Sequence, residues 1–263
     1  MRIVTWNVNS LNARLERVEE WIELNEPDVL CLQETKQADE KFPYGAFEAL
    51  GYSAVHNGTG RWNGVAILSK VGLEDPQVEF AKAEIDSEPR LVAATCGGVR
   101  VLCAYVPNGR SLEDDHYRFK LGWLDELAEI LDAQGPTAEA VVLGDFNIAP
   151  GPQDVWDEAA LAGMTHVSDP ERAKLRAIEA LGYQDAFERF HPDGGVFSWW
   201  DYRGGAFHKD HGMRIDLIFT SPALSSRVRG AGLDREARKT RPSRVNGEDL
   251  KPSDHIPVFI EVD

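Results

Sequence analysis

The feature that most constrains this chain is a short run rich in Val, Ile and Leu that recurs along its length and repeatedly ends on an amide, a carboxylate or a phenol. Such runs occupy Ile3–Asn7, Val29–Gln33, Val65–Leu68, Leu91–Cys96, Val101–Val106, Val141–Phe146, Ile215–Phe219 and Ile256–Val262. Their β-branched content and their Gly, Pro, Asn or Asp boundaries mark buried strands. Helical spacing lies between them. Leu11, Leu15, Val18 and Ile22 share one face of a helix that ends before Glu26-Pro27. Tyr117, Leu121, Leu124, Leu127, Ile130 and Leu131 mark a second helix, and Arg172 to Leu181, stopped by Gly182, a third. The stretch Ser53–Val106 holds strands with few helices, which predicts antiparallel pairing there. No long linker, low-complexity tract or repeat interrupts the chain. It reads as one α/β domain over 1–263, two mixed sheets packed together with helices outside.

Composition narrows the class. Hydrophobic residues are 43% and charged residues 27% of 263, which excludes disordered, collagenous and fibrous chains. No apolar run approaches the roughly 18 residues that cross a bilayer. The N-terminus enters the strand Ile3-Val4-Thr5-Trp6 directly, so no secretory leader is expected. Cys31, Cys96 and Cys103 are odd in number and lie in apolar runs, as reduced, buried thiols of a cytoplasmic protein would. The net charge of −16 favours solubility and a monomer and taken alone argues against a polyanionic partner. Yet Asp201–Arg244 carries ten Lys/Arg against five Asp/Glu, so an acidic chain can still present one basic face. A solvated charged surface explains that bias equally well.

The polar run ends carry the functional signal. Asn7-Val8-Asn9, Gln33-Glu34-Thr35, Tyr105-Val106-Pro107-Asn108 and Asp145-Phe146-Asn147 each follow an apolar run, while Arg214-Ile215-Asp216 and Ser253-Asp254-His255 precede one. One Asn or Asp beside a strand is an ordinary turn residue; the whole set is what a crevice at strand ends requires. Carboxylates and amides without a Cys/His cluster make a hard-oxygen site, suited to Mg²⁺ or Mn²⁺ and not to zinc. No Gly-x-Ser-x-Gly, Gly-x-Gly-x-x-Gly or Walker A sequence is present. Metal-assisted hydrolysis of a phosphate ester remains, needing a general base and a charge-stabilising cation.

Thr5-Trp6-Asn7-Val8-Asn9-Ser10, Leu32-Gln33-Glu34-Thr35-Lys36, Gly64-Val65-Ala66-Ile67, Gly144-Asp145-Phe146-Asn147, Arg214-Ile215-Asp216 and Ser253-Asp254-His255 together resemble the exodeoxyribonuclease III family. These abasic-site DNA repair nucleases lie within the endonuclease–exonuclease–phosphatase superfamily. The resemblance runs in order along the whole chain and implies a four-layered α/β sandwich with the active site at one edge of the sheets. It implies incision of double-stranded DNA 5′ to abasic sites, removal of nucleotides or blocking groups from 3′ ends, and Mg²⁺ (or Mn²⁺) as cofactor. It assigns Glu34 to the metal, with Asn7, Asp145, Asn147 and Asp254 completing the shell. Asp145 would position or deprotonate the attacking water, and Asn147 would steady it or the phosphate. His255, oriented and kept protonated by Asp216, would stabilise the phosphoryl oxygen; whether it is also the general base has rival accounts. Tyr105 would donate to the scissile phosphate or, ionised, face the leaving oxygen, with Asn108 holding phosphate nearby. Trp199, Met213 and Ile215 would line a small apolar pocket for a flipped-out sugar lacking its base, with Trp200 in the core. Arg90, Arg110, Lys120, Arg203 and Lys209 are candidate phosphate contacts.

Each assignment has a plainer alternative. Asn7 could cap the following helix, although Asn9 or Ser10 is better placed for that. Gly-Asp-x-Asn could be only a turn, and Tyr105 only a strand aromatic. The other histidines read as surface or core filler. Arg61-Trp62-Asn63 departs from the family pattern, where Trp62 would alter packing beneath the metal site or change a DNA contact. A superfamily phosphatase acting on a small phosphoester or phospholipid, and a DNA-binding scaffold with a dead site, are the competing functions. Arg235–Asp249 is expanded and basic and reads as a mobile loop gripping the DNA backbone. Its deletion should then lower both DNA affinity and the salt dependence of binding, measured by titration of duplex DNA at several salt concentrations.

Overall fold

A computed structural model describes residues 1–263. In chain order the elements begin with β1 (Arg2–Asn7), α1 (Leu11–Asn25), β2 (Val29–Gln33), α2 (Tyr44–Ala49), β3 (Ser53–Asn57), β4 (Val65–Ser69), β5 (Glu74–Gln77) and β6 (Leu91–Cys96). Then come β7 (Val99–Tyr105), α3 (Asp115–Asp132), β8 (Ala140–Asp145), α4 (Glu158–Leu161), α5 (Asp169–Ala180), β9 (Gln184–Asp185) and α6 (Ala186–Phe190). The chain closes with α7 (Ala206–Lys209), β10 (Asp216–Thr220), α8 (Pro222–Ser225), β11 (Val228–Leu233), β12 (Arg241–Pro242), β13 (Asp249–Leu250) and β14 (Val258–Val262). No helix is long and apolar enough to cross a membrane.

Two six-stranded sheets carry the fold, ordered β11-β14-β1-β2-β4-β3 and β5-β6-β7-β8-β10-β9. Both are mixed: β1–β2 and β7–β8 are parallel, and the remaining pairs antiparallel. Side chains alternate along each strand, so every strand can face two ways. In β1, Ile3 points between the sheets, where it packs with Val29, Cys31 and Ile67 of its own sheet and Val92, Val101, Cys103 and Val141 of the other. Val4 and Trp6 point outward and pack with Leu11, Val18 and Ile22 of α1 and Phe47 of α2. On the far side, Leu102, Val142 and Leu217 pack with Trp123 and Leu127 of α3 and Leu175 and Ile178 of α5. Strands covered on both faces need apolar residues throughout, which is why the runs show no polar alternation. The result is the expected four layers, helix–sheet–sheet–helix.

Some expectations need correction. The pairings within Ser53–Val106 are antiparallel, but they divide between the sheets, β3–β4 in one and β5–β6–β7 in the other. The third helix begins at Asp169, before Arg172, because Ser168 and Glu171 close a capping box ahead of it. Neither Asn9 nor Ser10 caps α1 through its side chain. The backbone N–H groups of Ser10 and Leu11 instead donate to the carbonyls of Glu34 and Thr35, at 2.7 and 3.0 Å.

The basic segment is no mobile loop. β12 and β13 form a hairpin docked on α1. Buried Arg17 donates to the carbonyls of Ala237 (2.8 Å), Lys239 (2.9 Å) and Leu250 (3.2 Å). Arg244 pairs with Glu20 and Glu23, and the Ser243 hydroxyl donates to Glu16. Much of the hairpin's charge is therefore directed at an acidic helix.

Gly144 sets the spacing of β7 and β8. Its φ is +155°, and a Cβ there would lie 1.8 Å from the Ala104 carbonyl oxygen. Gly144→Ala should destabilise the protein by about 1–3 kcal/mol, as overpacking a core does, and should reduce activity through the adjoining Tyr105 and Asp145. Urea unfolding measures the first effect, and an unchanged midpoint would refute it.

Candidate active site at the shared edge of the sheets

Strand register gathers the polar residues. Across β7, β8 and β10, Tyr105 pairs with Asp145, which pairs with Asp216. In the other sheet Asn7 lies beside Gln33, and Glu34 follows with a left-handed φ of +52°. The two strand-end sets meet directly. The Asn7 side-chain amide donates to Asp145 Oδ2 at 2.9 Å and to Glu34 Oε1 at 3.0 Å. The Tyr105 hydroxyl donates to the same Glu34 oxygen at 2.9 Å. Ser253 ties the segment ahead of β14 to this edge by donating to the Asn7 carbonyl at 2.7 Å, which brings in Asp254 and His255.

His255 is buried and its Nδ1–H donates to Asp216, 2.9 Å away; Nε2 faces Asp145 Oδ2 at 3.7 Å. Burial opposes a charged imidazole, but Asp216 and then Asp145 outweigh it and push the His255 pKa up to about 10. Asp145 is also held above the ordinary carboxylate range, by burial and by repulsion from Asp216 and Glu34, against the attraction of His255. Glu34 is partly buried, and desolvation opposes its charge, but Lys36, 2.8 Å away, and the Asn7 amide more than compensate and hold its pKa below the usual carboxylate range. Burial, with the neighbouring Glu34 and Asp145 carboxylates, raises Tyr105 well above its usual range. In this structure its hydroxyl acts as a donor, to Glu34.

The donor set fits a hard divalent cation. Glu34, Asp145, Asp216 and Asp254 lie together at this edge with Lys36 and His255 as the cations in ion pairs with them, an arrangement of oxygen donors that suits a hard cation. Asp145, Asp216 and His255 place ligand-type atoms within 4.8 Å of one another. The Asp216–His255 bond and the raised imidazole pKa make His255 a resident cation, so Glu34 and Asp145 are the better ligands. Asp254 stands to one side, accepting from Asn9 (3.0 Å) and from Trp199 Nε1 (3.1 Å). Asn7 bridges the Glu34 and Asp145 carboxylates through its amide nitrogen, while its Oδ1 accepts from the Asn9 backbone N–H at 2.9 Å and keeps a second lone pair.

Asn147 is fixed by its neighbours: its backbone N–H donates to Asp145 Oδ1 at 2.9 Å and its amide to the Val106 carbonyl at 3.0 Å. Asn108 donates to Asn147 Oδ1 at 3.2 Å, so the two amides act as a pair. Trp199 bonds Met213 through paired backbone contacts of 3.0 Å, and both pack with Ile215, Ala149, Val155 and Val167. This apolar cluster adjoins Asp254. Trp200 is in the core, as expected.

The proposed phosphate contacts fare unevenly. Arg90 is buried against Glu88, with its guanidinium 4.7 Å over the Tyr105 ring, so it supports Tyr105 and is not free for phosphate. Lys120 is fully buried with Glu171 and cannot reach solvent. Arg203 pairs with Asp201 on the surface, and Arg110 and Lys209 are exposed. Trp62, 69% exposed, lies beneath no site. Sequence reasoning misses Asn9 and Lys36, linked at 2.7 Å, although both stand inside the quoted motifs. It also reads His166 as filler, although this partly buried side chain sits beside Asn147 with its pKa lowered, first by desolvation and then by Lys120.

Similarity to known proteins agrees with this geometry. The endonuclease/exonuclease/phosphatase family model matches residues 4–255. Exodeoxyribonuclease III of Haemophilus influenzae is 32% identical over 277 residues, covering 99% of each chain. The structure of the 3′–5′ exonuclease NExo from Neisseria meningitidis superposes with a TM-score of 0.93 at 38% identity, covering 100% of both chains. An AP endonuclease from Archaeoglobus fulgidus gives 0.93 at 34% identity, covering 100% of this chain and 99% of that one. With its strand-end carboxylates, its Asp216–His255 pair and its four layers all in place, the chain belongs to the exodeoxyribonuclease III/AP endonuclease family of the endonuclease–exonuclease–phosphatase superfamily.

Proposed function

We propose that this DNA repair nuclease hydrolyses phosphodiester bonds of duplex DNA 5′ to abasic sites and removes nucleotides or blocking groups from 3′ ends, with Mg²⁺ as cofactor and Mn²⁺ as a substitute. The observation that carries the reading is the Asp216–His255 pair facing Asp145 across 3.7 Å, beside Glu34.

Glu34 and Asp145 would hold the metal, with Asp254 near. A cation held there would supply charge neutralisation to the phosphate during hydrolysis. Asp145, with its affinity for a proton raised by burial, takes one from the attacking water. His255, held in its protonated form by Asp216, offers Nε2–H to the phosphoryl oxygen as charge builds there. Tyr105 and the Asn108–Asn147 pair donate to the remaining phosphate oxygens. The Trp199–Met213–Ile215 cluster accepts a sugar lacking its base, excluding an intact nucleotide by size. That cluster favours DNA over a small phosphoester.

A labelled duplex with one abasic-site analogue, an intact 3′-recessed duplex and an inositol phosphate, each with Mg²⁺ and with EDTA, tests the assignment. Metal-dependent cleavage of the duplexes is expected; hydrolysis of the inositol phosphate alone would transfer the protein to the phosphatases. Glu34→Gln and Asp145→Asn should each cost at least ~10²-fold in kcat. The His255 pKa adds a pH prediction. Because the protonated form is the active one and its pKa is raised, activity should persist past pH 8 and fall as pH approaches about 10. A fall centred near the ordinary imidazole pKa of about 6.5 would contradict the role of Asp216.

A further inference from the structure

Beneath the phosphate-facing amides lies a buried ion pair that the mechanism above does not use. Lys120 of α3 and Glu171 of α5 are both wholly inaccessible and in direct contact. Lys120 Nζ also donates to the backbone carbonyl of Asn147 at 2.7 Å and lies 3.3 Å from that of Asn108. Glu171 accepts from the His166 N–H (3.0 Å) and the Ser168 N–H (3.1 Å), and its Oε1 lies 2.8 Å from the Thr165 hydroxyl. That hydroxyl is in turn 3.0 Å from the Asn108 carbonyl. The backbone served by this network is unusual. Asn147 has φ +52°, Gly109 φ +89° and Arg110 φ +59°, a left-handed region that Gly and Asn enter readily but that a residue such as Arg holds only when its surroundings impose it. Close packing at Gly109, where a Cβ would lie 2.8 Å from Thr165 Oγ1 and 3.2 Å from Lys120 Cδ, locks the same turn to the pair.

Stability alone gives little reason for such a pair. Two charges withdrawn from water seldom stabilise a fold more than apolar residues of the same volume. What an apolar pair cannot do is hold two backbone carbonyls from below. We infer that Lys120 and Glu171 are positioning residues: by anchoring the Asn108 and Asn147 carbonyls they set where the paired side-chain amides meet the scissile phosphate. The inference rests on the nuclease reading for its consequence in catalysis, but not for the geometry it concerns.

Lys120→Met with Glu171→Leu, made together, removes both charges and keeps an apolar contact. That double variant should fold with a lowered melting temperature, because the α5 capping box and several buried backbone partners are lost, and should lose kcat by about 10²-fold with KM for duplex DNA changed less than about threefold, the pattern of lost transition-state alignment. Lys120→Arg, which keeps donors for both carbonyls, should recover kcat to within about tenfold of wild type. Wild-type kcat in the folded double variant would overturn the inference. Glu171→Gln, which preserves shape, is the second arm should the double variant fail to fold. In ¹⁵N-labelled protein without DNA its Asn108 and Asn147 amide resonances should shift, and unchanged resonances would equally overturn it. Those resonances are read without substrate, so a wild-type protein that cuts no DNA would refute the nuclease reading and leave the positioning role decided separately.

Discussion

The two sheets can share one working edge only because the side chains between them are small or β-branched. Val, Ile, Ala and Cys dominate that layer, letting the sheets approach closely enough for Asn7 on one to reach Asp145 on the other at 2.9 Å. Sheets packed face to face are about 10 Å apart, and their spacing follows side-chain size. The same requirement acts within a sheet, where Gly144 admits the close approach of Ala104. Packing therefore sets the catalytic distances before any electrostatic interaction can contribute.

Charge then accumulates at the edge at a cost that the neighbours offset one by one. The carboxylates of the edge have named partners: Asp216 has His255, Glu34 has Lys36 and Asn7, and the half-buried Asp254 has Asn9 and Trp199. Asp145 is the most deeply buried of those without a cation in contact. It receives hydrogen bonds from Asn7 and the Asn147 backbone but no cation in direct contact, with His255 3.7 Å away. A carboxylate left electrostatically unsettled among partnered ones is the group best placed to exchange protons, as general acid–base chemistry requires.

Much of the site is legible in the amino-acid sequence. Polar residues that follow or precede buried apolar runs have few places to go except a sheet edge, so Glu34, Tyr105, Asp145, Asp216 and His255 announce themselves by position. The ordered motifs add roles that spacing alone does not assign. What the sequence hides is long-range. The division of β3 to β7 between two sheets depends on pairings decided by the whole fold. The docking of β12–β13 on α1 depends on acids more than two hundred residues away, such as Glu20 against Arg244. Lys120 reads as a surface cation because its partner Glu171 is 51 residues distant, and local periodicity carries no trace of the pair. The side-chain orientation of Asn7 is equally hidden, being set by hydrogen bonds from both sheets and the Asn9 backbone.

The central claim is that residues from two different sheets form one catalytic unit. A double-mutant cycle in single-turnover cleavage, combining Glu34→Gln from the β2 end with Asp145→Asn from the β8 end, tests it most directly. Residues acting as a unit are strongly non-additive, so the double variant should lose little more than the worse single variant. Losses that multiply would mean two independent contributions and would contradict the account.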